Sequence, residues 1–170
     1  MDETIAIRRG DPADAEAIRA LVEAAYTKWI PVIGRLPTPM QADYAEAVRT
    51  HRFDLLRADA DLAALIETEV ETDHLLIVNV AVHPAFQGRG LGTRLLGLAE
   101  GIAGEAGLAQ LRLYTNKKYV ANLRLYGALG YRVEREEPYA GPGRTRDDDI
   151  TVHMVKVLGD APSGDRAGAP

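Results

Sequence analysis

The chain has 170 residues, 20 Lys+Arg against 25 Asp+Glu for a net charge of −5, a hydrophobic share of 46% and no cysteine. At that length one core buries roughly 70% of the unfolded surface without help from a disulfide or a structural metal. The missing thiols exclude thiolate-bound metal and a cysteine nucleophile. The acidic balance argues against nucleic acid or an anionic membrane as partner. No apolar run approaches the ~20 residues of a membrane helix, and the N-terminus lacks the apolar stretch of a secretory signal. A cytoplasmic protein is expected.

Ile5 and Ile7 alternate with polar neighbours as a short first strand, and Asp11 with Pro12 marks a helix start. That helix carries the stripe Ala17, Ile18, Leu21, Val22 and Ala25. Residues 26–39, broken by Pro31, Gly34, Pro37 and Pro39, read as a loop, and a short helix through Tyr44 and Val48 follows. Residues 53–57 and 62–70 read as paired strands around a turn marked by Asp59 and Asp61. Residues 74–82, HLLIVNVAV, are almost continuously apolar, as in a central strand covered on both faces. Leu91, Leu95, Leu98 and Ile102 recur at helical spacing despite Gly97, Gly101 and Gly104. A strand through Leu111 and Leu113, a helix over 120–129 closed by Gly130, and strands over 131–136 and 150–157 complete the chain. This order predicts an α/β (α+β) domain over residues 1–158, with a mixed sheet and helices on both faces. Residues 159–170, rich in Gly, Pro, Ala and Asp, read as an unfolded tail.

The most informative segment is HPAFQGRGLGT, residues 83–93, between the central strand and the following helix. Gly88, Gly90 and Gly92 let the backbone approach a ligand closely, and free N–H groups at a helix start suit phosphate oxygens. The spacing of these glycines fits neither the dinucleotide fingerprint nor the P-loop, because Thr93 or Leu95 stands where the former needs glycine and no Lys-Ser or Lys-Thr pair follows.

Gln87, Gly90 and Gly92 match Q/R-x-x-G-x-G/A, the acetyl-CoA loop of the GNAT superfamily of N-acetyltransferases, which the chain thus resembles. VAVHPAFQ before it, and LRLYGALGY at 123–131 with Asn122 just ahead, are similar to two further segments of that family. The resemblance implies a central, mostly antiparallel mixed sheet of six to seven strands. It implies a pantetheine arm paired with the backbone of Val80, Ala81 and Val82. The pyrophosphate would lie on the amides of Gln87, Gly88, Arg89, Gly90, Leu91, Gly92 and Thr93. Asn122 and Tyr126, four residues apart on one helix face, would reach the thioester end, with Tyr126 as general acid. The co-substrate implied is acetyl-CoA, without a metal.

The base is where this sequence departs from the family. Many relatives carry a Glu on the fourth strand, but Leu76, Ile77, Val78 and Asn79 stand there. Glu67 and Glu69 on the preceding strand are candidates, although their alternation with Ile66, Thr68 and Val70 favours an ordinary solvated face. His74, His83 and His153 form no metal spacing or triad. Tyr26, Trp29, Tyr114 and Tyr139 are candidates for an acceptor pocket, and residues 138–149, PYAGPGRTRDDD, read first as a solvated hairpin loop. The function expected is acetyl transfer to a primary amine, on a small molecule or a peptide, by direct attack in a ternary complex. The alternative is an acyl-CoA-binding regulatory module without turnover. Monomer and homodimer both stay open.

Overall fold

The computed structural model describes residues 3–159. Its seven strands form one sheet in the order β1-β2-β3-β4-β5-β7-β6. They are β1 (Ile5–Arg9), β2 (Arg52–Ala58), β3 (Asp61–Val70), β4 (Leu75–Val82), β5 (Gln110–Asn116), β6 (Arg132–Pro138) and β7 (Ile150–Val157). Every pairing is antiparallel except β4 with β5. The sheet expected from the sequence is therefore present. The tail expected at 159–170 lies outside the described residues, apart from Gly159.

One face is covered by α1 (Ala15–Tyr26), α2 (Ile30–Ile33) and α3 (Tyr44–Thr50), the other by α4 (Leu91–Glu105) and α5 (Val120–Ala128). α1 follows a short 3-10 turn in which Asp11 accepts from Ala13 N at 2.8 Å and Asp14 accepts from Asp11 N at 2.8 Å, so two otherwise orphaned amides are satisfied. Ile18, Leu21, Val22 and Ala25 then pack with Phe53, Leu55 and Leu65 of the sheet. On the opposite face Leu91, Leu95, Ala99 and Ile102 of α4 meet Leu56, Ile66, Leu75 and Leu111. Packing thus holds α4 against the weakening effect of its glycines.

One loop reading is corrected and a second holds in part. Residues 26–39 contain a 3-10 turn (Thr27–Trp29), α2, and the start of a second 3-10 turn (Thr38–Gln41). Pro31 is tolerated because it sits at the first positions of α2, where its missing N–H costs no hydrogen bond. Residues 138–149 are largely exposed, throughout 142–148, as a solvated loop is, but they are also tied to α2 and end on a buried residue. Arg146 donates from Nη1 to Val32 O at 2.6 Å, Thr145 Oγ1 donates to Gly34 O at 2.7 Å, and Asp149 is buried beneath them. Gly34 closes α2 at φ 76°, and a Cβ there would come within 2.5 Å of Thr145 Oγ1, so glycine is required for both conformation and space.

The central strand is less regular than its apolar run suggests. Glu67 pairs with Asn79 but Thr68 pairs with Ile77, so Val78 has no partner on β3. This bulge reverses the side-chain parity. Leu75 and Ile77 belong to the α4 face, as do Val80 and Val82, whereas Ala81 packs under α1 and Asn79 faces Tyr26 and Tyr44.

Candidate active site

β4 and β5 pair in parallel only over Leu75, Ile77 and the residue between them, opposite 111–113. Beyond that point β4 stays with β3 through Val82, and β5 stays with β7 through Asn116, so the two halves of the sheet part. The backbone of residues 78–82 is left with one edge outside any ladder. Tyr26 partly answers it, its hydroxyl standing 2.7 Å from Asn79 Oδ1 and 3.1 Å from Val80 O.

Two cavities open from this parting. The first, of about 380 Å³, runs from Val80, Ala81 and Val82 to Gln87, Gly88 and the first turn of α4. Gly90 caps α4 at φ 77°, a left-handed conformation in which any side chain is strained. The first amides of that turn have no partner within the helix, and the helix dipole favours an anion there. Gln87 Nε2 donates to Val82 O at 3.3 Å. Leu91, Gly92 and Thr93 line this cavity, whereas Arg89 does not: it pairs with Glu3 at 3.0 Å over the Phe86 ring.

The second cavity, of about 470 Å³, lies on the α1–α3 side and includes Tyr44, Glu67, Tyr114, Tyr119 and Tyr139 in its wall. The two meet at four shared residues, Tyr26, Val80, Asn122 and Tyr126. Tyr126 is 8% exposed, edge-on to Tyr131, and burial pushes its phenol up to about 12. Among the described residues none hydrogen-bonds its hydroxyl, which is left for the junction. Asn122 lies beside it on α5 as the helical spacing predicts.

Glu67 is not on a solvated face. It is 4% exposed, turned into the second cavity beside Asn79, and burial raises its carboxyl above the ordinary range while His51 opposes the shift. His51 Nδ1 stands 2.6 Å from Glu67 Oε1, and its Nε2 stands 3.4 Å from Glu69 Oε2. Glu69 therefore lies behind His51, outside the cavity lining. His51 ends α3, donating its backbone N–H to Ala47 O at 2.8 Å, and so its ring is fixed over β3. The reading by residue type passed over His51. The signal was the hairpin: counting outward from the turn at Asp59 and Ala60 sets Arg52 opposite Glu67 and so brings His51 next to it, although a bulge between Leu56 and Arg57 moves the actual register by one, to Arg52 opposite Thr68.

Arg35 was also passed over. Buried in the wall, it donates from Nε to Asp149 Oδ2 at 2.6 Å and stacks its guanidinium 3.3 Å from the centre of the Tyr139 ring. Asn116 Nδ2 donates to the same aspartate at 2.8 Å. Trp29 stacks on Tyr119 and lines the first cavity rather than the second. His153 lines the second cavity with its Nε2 2.7 Å from Glu137, His74 pairs with Asp73, and His83 caps the turn after β4.

A model of the acetyltransferase (GNAT) family matches residues 16–131. The chain belongs to the GNAT acetyltransferase family. Solved structures of the same fold include the ribosomal-protein-S18-alanine N-acetyltransferase of Escherichia coli, with a TM-score of 0.75, 21% identity, and coverage of 95% of this chain and 98% of the other. The PaiA N-acetyltransferase of Thermoplasma acidophilum, solved with coenzyme A, has a TM-score of 0.74 at 19% identity over 91% and 99% of the two chains. YncA of Salmonella typhimurium, solved with acetyl-CoA, has a TM-score of 0.71 at 20% identity over 93% and 96%. No protein of curated function matches in sequence. As a GNAT acetyltransferase the chain is an enzyme, and none of these relatives supports a regulatory module without turnover. No helix among the described residues is long and apolar enough to cross a membrane.

Proposed function

We propose that the protein transfers the acetyl group of acetyl-CoA to a primary amine, on a small molecule or a peptide, by direct attack in a ternary complex. The observation that carries this reading is the junction of the two cavities at the free edge of β4. Pantetheine has two amides that can continue that edge at Val80, Ala81 and Val82 as an added strand would. The pyrophosphate then falls on the glycine loop, residues 87–93, and the first turn of α4. The thioester comes to rest between Asn122 and Tyr126, and the amine approaches from the second cavity.

Glu67 takes a proton from the bound ammonium, and His51, bridging Glu67 to the half-exposed Glu69, leads that proton to solvent. The free amine forms the new N–C bond as the C–S bond breaks. A phenol near 12 is too weak an acid to protonate a thiolate near ~8.5 outright, since complete transfer would be uphill by about 5 kcal/mol. Tyr126 therefore donates as the C–S bond opens and regains a proton from the attacking nitrogen, which must lose its own. The products are the amide and CoA, with one proton released.

Residues 1–158 form the catalytic domain in this reading, residues 159–170 lie outside it, and the absence of cysteine supports a cytoplasmic setting. Thermal unfolding with acetyl-CoA, CoA, ATP and NAD, followed by thiol release with added amines, tests it. A shift with the CoA ligands alone and amine-dependent thiol release are expected. A shift with ATP or NAD and none with CoA overturns it.

A further inference from the structure

Six of the chain's seven tyrosines, Tyr26, Tyr44, Tyr114, Tyr119, Tyr126 and Tyr139, line the one cavity behind the free edge of β4. They come from six different elements or loops, so no single periodicity gathers them there. Three of the hydroxyls are already engaged by protein: Tyr26 by Asn79 and Val80, Tyr44 by Pro39 O at 2.7 Å with a contact from Asn79, and Tyr139 by Pro142 O at 3.2 Å. What these three offer a ligand is therefore mainly ring. An aromatic wall attracts cations through its π-faces, and the wall already shows this chemistry internally, where Arg35 lies on Tyr139.

The charges of the wall point the same way. Glu67 is a buried carboxylate facing the cavity. Arg35 brings the guanidinium to the lining, but its Nε and Nη2 are taken by Asp149 and its Nη1 by Leu36 O. Glu137 is held by Arg135 and His153. A cation entering meets rings and a carboxylate. A carboxylate or phosphate entering meets the same groups and, among the described lining residues, no arginine or lysine but Arg35, whose charge is already matched by buried Asp149, so its own charge finds no free counter-ion there.

We propose that the acceptor is a compact organic cation: a primary ammonium on an apolar or aromatic body that bears no carboxylate or phosphate. This rests on the acetyl-transfer reading above and narrows it. The cavity, about 470 Å³, is of the size that encloses a small molecule. The ammonium is held among the rings at Glu67, which receives its proton, and the organic body fills the space toward Tyr114 and Tyr139.

The test compares pairs that differ by one carboxylate: 2-phenylethylamine and phenylalanine, tyramine and tyrosine, isoamylamine and leucine, cadaverine and lysine. Thiol release from acetyl-CoA and the thermal shift in the presence of CoA are read for each, with a dipeptide amide as the peptide arm. The amine of a reacting pair is expected to exceed its amino acid by about 100-fold or more in kcat/KM. Tyr114, 41% exposed, is replaceable without threat to folding. Tyr114→Leu is expected to raise the KM for the amine about tenfold and leave the KM for acetyl-CoA alone, and Tyr114→Phe, which restores the ring, is expected to recover most of that loss. Equal or better use of the amino acids or the dipeptide amide overturns the proposal. So does a shift with acetyl-CoA but no response to any amine. Absence of any shift with acetyl-CoA defeats the cofactor reading instead, and this inference with it.

Discussion

In the proposed mechanism Glu67 is a base in a place that disfavours its charge. Burial raises its carboxyl pKa, and His51, 2.6 Å away, only partly restores the ionised form. A group whose folded pKa lies above its unfolded value contributes stability below the unfolded pKa and loses it as pH rises through the folded one. At neutral pH ionised Glu67 therefore weighs against the fold, while a raised pKa suits it to accept a proton near the working pH. Glu67→Gln is expected to lower kcat/KM by about 10² to 10⁴ with a melting temperature at pH 7 no lower than that of the parent. The acid limb of the pH–rate profile, lying above the ordinary carboxylate value near ~4.3, should vanish in the variant. His51→Gln should move that limb and leave the KM for acetyl-CoA unchanged, which a purely structural histidine would not do. For Tyr126→Phe, steady-state kinetics should show kcat reduced by about 10² or more and acetyl-CoA binding retained. Unchanged turnover would remove Tyr126 from the chemistry.

At the level of elements, the segment after β6 straps the molecule together. Arg35 of the α2–α3 connection and Asp149 of the β6–β7 connection are buried against each other, with Asn116 of β5 on the same carboxylate. Removing one partner of such a pair leaves a buried charge alone, at a cost of about 3–5 kcal/mol. Arg35→Met should thus lower the melting temperature by roughly 10 °C, and adding Asp149→Leu should recover much of the loss, as a double-variant melting series would show. None of this was legible locally. Three consecutive aspartates beside two arginines look alike in sequence, yet Asp147 and Asp148 are exposed and Asp149 alone is buried, against Arg35 and Asn116. The strands were legible because alternation and β-branching act within a few residues, whereas the parity change at Val78 depends on β3. At the start of α4 the glycine loop was readable from composition alone. Gly90→Glu combines strain at φ 77° with a charge aimed at the anion site, so isothermal titration should find acetyl-CoA binding abolished.

For the molecule as a whole, ligand and fold are coupled. A co-substrate at 100 times its Kd adds about 2.7 kcal/mol of stability. In a chain of this length that corresponds to a rise of about 5–10 °C in the melting temperature. The architecture followed from the order of strands and helices, but the cavity did not, since its tyrosines are gathered from α1, α3, β5, α5 and the loops beside them. The parted sheet has a last consequence. Unpaired strand edges are where other chains attach and aggregation starts. Here the edge that we propose takes the co-substrate lies between two halves of one sheet rather than at its rim. The hazard is left to the outermost strands, and on β6 it is met by a run of like and unlike charges, Arg132, Glu134, Arg135, Glu136 and Glu137. The protein can thus keep backbone hydrogen-bonding groups bare for its substrate without offering them to its own copies.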